Sequence, residues 1–225
     1  MKELQLQPRL QMLADLVPPG AALADVGTDH GYLPVYLLQK GAIRRAIASD
    51  IGAEPLDHAR RTAEEYGAAL ELRLCDGLAG IAPHEVDTVV IAGMGGESII
   101  SILSAAPWTK DGCRLILQPM TRQELLRRWL AENGYRFTAE HLVEDKGTIY
   151  PILCVEGGAQ QPLSEAETYA GLLLADDPLY GEYLTRQMAR LQKAADGMRR
   201  SQDKACKADT LDSLCEALAE KRRRL

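Results

Sequence analysis

The chain has 225 residues, with 26 Lys and Arg against 32 Asp and Glu, a net charge of −6 and a pI near 5.3. With 46% apolar and 26% charged residues it has the composition of a folded globular protein, long enough for one full domain and a smaller one. The acidic balance argues against indiscriminate binding to nucleic acid or a membrane surface, although a specific RNA read by a local basic patch stays open.

No apolar run approaches the ~18 residues of a membrane helix, and residues 1–7 lack the basic-then-apolar order of a secretory leader. Five scattered cysteines without a C-x-x-C pair fit neither a disulfide framework nor a zinc site. A cytoplasmic protein is the expectation. His30, His58, His84 and His141 show no i,i+4 pair and no neighbouring Cys, so no metal is expected.

Taken in chain order, Leu6, Leu10, Leu13 and Val17 recur at helical spacing before Pro18-Pro19-Gly20. Alternation follows: strands at 21–26, 45–50, 70–75, 86–92 and 113–118, and helices at 32–40, 54–66, 95–106 and 122–133. Short strands alternating with helices predict βαβ units and a mainly parallel sheet covered on both faces. Strand candidates at 135–143 and 149–156 are joined by too few residues for a crossover helix, so they must pair antiparallel. A parallel α/β sheet closed by an antiparallel hairpin is the outline of a Rossmann-like class I methyltransferase.

Residues 157–162 read as a linker, which divides the chain into a catalytic domain over 1–158 and a helical domain over 163–225. Leu184, Met188, Leu191, Ala195 and Met198 form a heptad seam, and Leu211, Leu214 and Leu218 continue such spacing. The pattern predicts an antiparallel, coiled-coil-like helical hairpin with a break around 200–204. Its seam does not distinguish an internal hairpin from an oligomer contact, and the oligomeric state, monomer included, stays open.

The loop Asp25-Val26-Gly27-Thr28-Asp29-His30-Gly31 follows a strand and opens a helix, where ligands sit in open α/β sheets. Many nucleotide loops carry a glycine where this one has Asp29. A carboxylate there repels a pyrophosphate and suits a ligand with a positive centre, such as the ammonium and sulfonium of S-adenosylmethionine. Asp50, followed by Ile51, ends the second strand at the spacing of an acid that takes a ribose diol, or it simply caps its turn. Asp76-Gly77 ends the third strand, suited to an adenine amino group or to a plain turn. Three acids at three strand ends point to an adenosyl donor.

Val89-Val90-Ile91-Ala92-Gly93-Met94-Gly95-Gly96 is a buried strand running into glycines beside that donor. They provide either a low floor for a planar acceptor or close helix–strand packing. Gln118, ending the next strand before Pro119, orients a base edge or caps its own turn.

Together the blocks Asp25 to Pro34, Ile91 to Gly96 and Leu115-Ile116-Leu117-Gln118-Pro119 resemble those of the bacterial tRNA (adenine-N1)-methyltransferase family, which modifies adenosine 22 in the D-arm. The resemblance covers residues 1–156 in order, and Met120 stands where Asn is expected after Gln-Pro. It implies S-adenosylmethionine as donor, tRNA as partner and a helical domain that helps hold it, with neither DNA nor membrane involved.

Ring N1 of adenine exposes an in-plane lone pair, so transfer mainly needs proximity and alignment with the sulfonium methyl. Asp29, Gly93, Met94 and Gln118 are the candidates around the reacting atoms. Asp29 either stabilises the developing cationic adenine, orients the donor's ammonium, or only caps the following helix. His30 and Tyr32 line the entrance, or Tyr32 belongs to the core instead. Residues 1–160 carry 21 acidic and 15 basic side chains, while 161–225 carry 11 of each. Arg186, Arg190, Lys193, Arg199, Arg200 and 221–224, with Arg44-Arg45, Arg60-Arg61 and Arg127-Arg128, are solvated faces or phosphate contacts.

Overall fold

Apolar runs too short to be buried as helices satisfy their backbone by pairing with one another, and the intervening helices return the chain for parallel pairing. In the computed structural model, residues 3–199 and 205–225 are described. The elements are α1 (Pro8–Leu16), β1 (Ala22–Val26), α2 (Tyr32–Gln39), β2 (Arg45–Asp50), α3 (Ala53–Tyr66) and β3 (Glu71–Leu74). Next come β4 (Thr88–Gly95), α4 (Gly96–Ala105), β5 (Arg114–Thr121), α5 (Gln123–Glu132), β6 (Tyr135–Asp145) and β7 (Thr148–Gly157). The last are α6 (Glu165–Ala170), α7 (Tyr180–Arg199) and α8 (Ala205–Arg223).

The seven strands form one sheet in the order β3-β2-β1-β4-β5-β7-β6. The first five are parallel; β7 runs antiparallel to both β5 and β6. This is the Rossmann-like methyltransferase sheet the alternation predicts. Strand order reverses between β1 and β4, so the chain leaves these neighbours in opposite directions and a crevice opens beyond their carboxyl ends.

Side chains alternate across β5. Leu115 and Leu117 pack with Ile99 and Leu103 of α4 and Leu126 and Leu130 of α5. Ile116 faces the opposite layer with Leu13 and Val17 from the α1 region and Leu33 and Leu37 of α2. The predicted amphipathic helix therefore buries its stripe on the sheet.

Several boundaries differ from the sequence pattern, two of them with a clear physical cause. β4 continues past residue 92 because a register shift lets Met94 and Gly95 pair with Pro119 and Thr121. The hairpin connection shrinks to Lys146-Gly147, with φ of +50° and +77° between the paired Asp145 and Thr148. Such a two-residue turn matches the strand twist and demands left-handed backbone, which Gly supplies at little cost.

After residue 163, α7 and α8 pack antiparallel: Arg199 pairs with Asp212, Cys215 Sγ lies 3.7 Å from the Met188 carbonyl, and Leu225 lies against Gly181. The predicted break at 200–204 lies outside the described residues. The predicted seam is realised, since Leu184, Leu191, Ala195, Leu214 and Leu218 are buried. Leu142 and Ile149 of the β6–β7 hairpin join the cluster with Leu174, Tyr180 and Tyr183. Among the described residues no helix is long and apolar enough to cross a membrane.

The Arg127-Arg128 pair needs correction. Arg127 has no exposed surface; its Nε donates to Glu140 Oε1 at 2.8 Å, and Nη1 donates to the Thr168 carbonyl at 3.0 Å. Glu140, also buried, accepts from the Leu173 N–H at 2.9 Å. Position 127 lies on the inner face of α5, so this arginine joins sheet and helices and presents nothing to phosphate.

Candidate active site at the strand ends

The carboxyl ends of β1, β2, β3 and β4 border two clefts that meet at Gly27. One, of about 420 Å³, is lined by Gly27, Asp50, Ile51, Asp76, Gly77 and Met94. The other, of about 660 Å³, is lined by Asp25, Thr28, Asp29, His30 and Gly93, with a wall from residues 4–10. The Met94 methyl occupies the space that a side chain at Gly27 would need. Met94 thus sits at the junction of the two spaces.

Asp25 is buried at the end of β1, paired in register with Val90 and Ala48. Burial pushes its carboxyl up to about 6, opposed by a hydrogen bond from Thr28. The backbone N–H groups of Gly27 and Thr28 both donate to the Ser49 carbonyl, at 2.8 and 3.2 Å. They hold the loop to β2 and are not free to cradle a phosphate. An acidic group stands at the cleft, with the nearby amides already used.

Asp50 Oδ1 accepts from the Gly52 N–H at 2.7 Å, so one oxygen makes the turn into α3 while the residue borders the cleft. Asp76 is exposed beside it, and Gly77, at φ +53°, packs under Ile102. Ile51 is 74% exposed, an apolar surface beside the acids.

Asp29 is the most open carboxylate of the loop, with its side chain 75% exposed. Gly31, in left-handed backbone, is the N-cap position just before α2, and no side chain caps the helix. Asp29 does not serve as that cap. His30 Nε2 lies 3.3 Å from its Oδ2, and His58 Nδ1, from α3, lies 3.9 Å from its Oδ1. Tyr32, His30 and His58 form a stack with ring centres 5.1 and 4.8 Å apart.

The glycines where β4 runs into α4 differ in role. A side chain at Gly93 would meet only the Arg9 guanidinium, 3.9 Å away; its φ of +79° keeps this strand end open to the cleft. At Gly96 a Cβ would stand 2.5 Å from the Arg122 carbonyl, so that glycine serves close packing. The close-packing reading of the motif holds at Gly96, while Gly93 leaves open space beside the cleft.

Gln118 is fully buried. Its Oε1 accepts from Arg9 Nη1 at 2.7 Å and from the Gly93 N–H at 3.1 Å. Its Nε2 donates to the Pro119 carbonyl at 3.2 Å and contacts Met120 Sδ at 3.5 Å. All its polar groups are spoken for, so the amide braces the Gly93 loop from below. Arg9 is the residue that motif reading missed, because it belongs to a helix far upstream whose stripe marks it only as polar.

Known proteins resemble this chain over most of its length. A methyltransferase domain family matches residues 6–153. The tRNA (adenine(22)-N(1))-methyltransferase of Bacillus subtilis (strain 168) is 37% identical over 190 residues, covering 83% of this chain and 78% of the relative. Its counterpart among solved structures, the B. subtilis M1A22 tRNA methyltransferase TrmK, superposes with a TM-score of 0.88 at 31% identity over 98% of this chain and all of that one. M. capricolum TrmK, solved with S-adenosyl-homocysteine, has a TM-score of 0.81 at 26% identity, covering 95% and 98% of the chains. With its strand-end acids and its full-length likeness to these enzymes, the chain belongs to the tRNA (adenine-N1)-methyltransferase family.

Proposed function

We infer that the protein transfers a methyl group from S-adenosylmethionine to N1 of adenosine 22 in the D-arm of tRNA. The observation that carries this reading is the set of carboxylates at the ends of β1, β2 and β3 beside a glycine-lined gap at β4, in a chain of this family. Asp50 takes the ribose diol and Asp76 the adenine amino group, while Ile51 and Gly77 flank the base. Asp25, buried and without a cationic partner among the described residues, receives the donor's ammonium, with Gly27, Thr28, His30 and Gly31 shaping that end of the site. Donor binding returns to Asp25 the charge stabilisation that burial removed.

The acceptor adenine lies on Gly93, held in place by Gln118 and Arg9 behind it. N1 lies on the Watson–Crick edge, so the nucleotide must leave its pair or stack to reach the donor. Its lone pair forms the N–C bond as the C–S bond breaks, and the sulfonium electrons return to sulfur as a thioether. The adenine becomes cationic. Asp29, open to the cleft, stabilises that charge and then accepts a proton from the exocyclic amine. Met94 separates donor and acceptor spaces. Residues 1–158 carry the chemistry; the helices over 163–225 hold tRNA in the cytoplasm through their exposed basic side chains.

Incubation of the purified protein with labelled S-adenosylmethionine and unmodified tRNA, followed by nucleoside mapping, tests the reading. The expected product is a single 1-methyladenosine at position 22, lost when that position carries another base. Absence of transfer to any tRNA, or label on the exocyclic amine, would overturn it.

A further inference from the structure

Asp29, His30 and His58 are brought together by the fold from two separate places in the chain. His30 precedes α2, whereas His58 projects from the middle of α3. One ligand-type atom from each lies within 4.8 Å of the others. The 3.3 Å between Asp29 Oδ2 and His30 Nε2 matches the roughly 3.3 Å edge of a tetrahedral site with ~2.0 Å metal–ligand bonds. His58 Nδ1 lies 3.9 Å from the other oxygen of the same carboxylate, Oδ1, so a small turn of the Asp29 carboxylate brings one oxygen within reach of an ion shared with both rings.

A second observation points the same way. His58 Nδ1 is shut off from solvent and has no hydrogen-bond partner among the described residues, although it faces a carboxylate. A buried ring nitrogen without a partner is unfavourable unless something else occupies its lone pair. Two neutral imidazoles and a carboxylate form a donor set suited to a borderline divalent ion such as zinc. A fourth position, left to water, faces the cleft because Asp29 is exposed. The rings lie 9° from parallel, so ion binding turns the His58 imidazole out of the stack until both lone pairs converge.

We propose that Asp29, His30 and His58 form a divalent transition-metal site at the opening of the larger cleft, and that an ion bound there blocks methyl transfer. Metal bonded to Asp29 neutralises the carboxylate and fills the space next to the donor. This is inhibitory occupancy, with no part for the ion in the reaction. The inhibitory half rests on the reading of Asp29 given above; the binding half does not.

The experiment therefore has two readouts on the intact protein. In the first, Co²⁺ is titrated as a spectroscopic stand-in for zinc, without donor or tRNA. Wild type should show a one-equivalent d–d spectrum without the thiolate charge-transfer band that a cysteine ligand would add. His58→Ala should bind about tenfold more weakly or worse, since loss of even an outer-shell partner commonly costs that much. His84→Ala, remote from the cluster, should match wild type. In the second, Zn²⁺ should inhibit tRNA methylation by wild type, while the turnover of His58→Ala, measured relative to its own metal-free rate, should resist the ion.

Equal Co²⁺ affinity in wild type and His58→Ala, or a spectrum dominated by thiolate, would overturn the site. Binding that needs His58 but leaves turnover unaffected would keep the site and overturn the inhibition, placing the failure in the role of Asp29.

Discussion

Two groups of carboxylates in this molecule meet opposite fates. At the junction of α5, β6 and the C-terminal helices, Glu140 is fully buried and matched by Arg127 and backbone N–H groups. At the strand ends Asp25 is also buried, yet among the described residues its side-chain partner is the neutral Thr28 hydroxyl, with no cation. Burial without a cation is costly, and a protein that merely needed stability would place an amide or an apolar residue there. The difference separates a carboxylate completed within the fold from one that awaits a cation from outside.

The largest predicted effect is at the completed pair. Arg127→Met leaves Glu140 buried without its partner and should destabilise the protein by about 3–5 kcal/mol, measured as a lowered denaturant midpoint. The double variant Arg127→Met/Glu140→Leu should recover much of that loss. An additive double variant would mean that the two side chains do not act as a pair.

Asp25→Asn should have opposite effects on binding and stability. Donor affinity should fall by about 2–4 kcal/mol, because the ammonium loses a buried charge partner. The free protein should become more stable at neutral pH. The folded carboxyl sits near 6 against an ordinary 3.8, so its favourable contribution is present in acid and is lost as pH rises through about 6. The variant avoids that loss, by up to about 3 kcal/mol above pH 7, and the two proteins should converge below pH 4. Thermal melts across that range read the sign directly.

Arg9→Ala is expected to cost about 1.5–3 kcal/mol, the range for a hydrogen bond to a charged group, and to appear in turnover with donor affinity retained. Equal loss of donor binding would place Arg9 on the donor side of Met94. The smallest effect belongs to the exposed pair Arg114–Glu156, 3.3 Å apart at the sheet surface. Glu156→Gln should change stability by less than about 1 kcal/mol, and salt should erase the difference.

The sheet, its parallel half and the closing hairpin were legible because strand and helix periods alternate cleanly between Ala22 and Gly157. The acids at the strand ends were legible from position alone. Arg9, Gln118 and His58 carry partners 109, 25 and 29 residues away in the chain, and no local pattern encodes such meetings. Arg127 was misread because two adjacent arginines look like a solvated face, whereas neighbouring positions on a helix point about 100° apart and one of them turns inward. The heptad seam was visible in sequence; that the hairpin strands share its core through Leu142 and Ile149 was not, since those residues read equally well as ordinary strand positions.

The most direct test of the contrast is calorimetric binding of S-adenosylmethionine between pH 5 and 8, repeated in buffers of different ionisation enthalpy. If Asp25 awaits the donor's cation, binding near pH 5.5 must release a proton, affinity must rise with pH and level off above about 6, and Asp25→Asn must remove both effects. Donor binding with no proton release and no pH dependence in the wild-type protein would contradict the account.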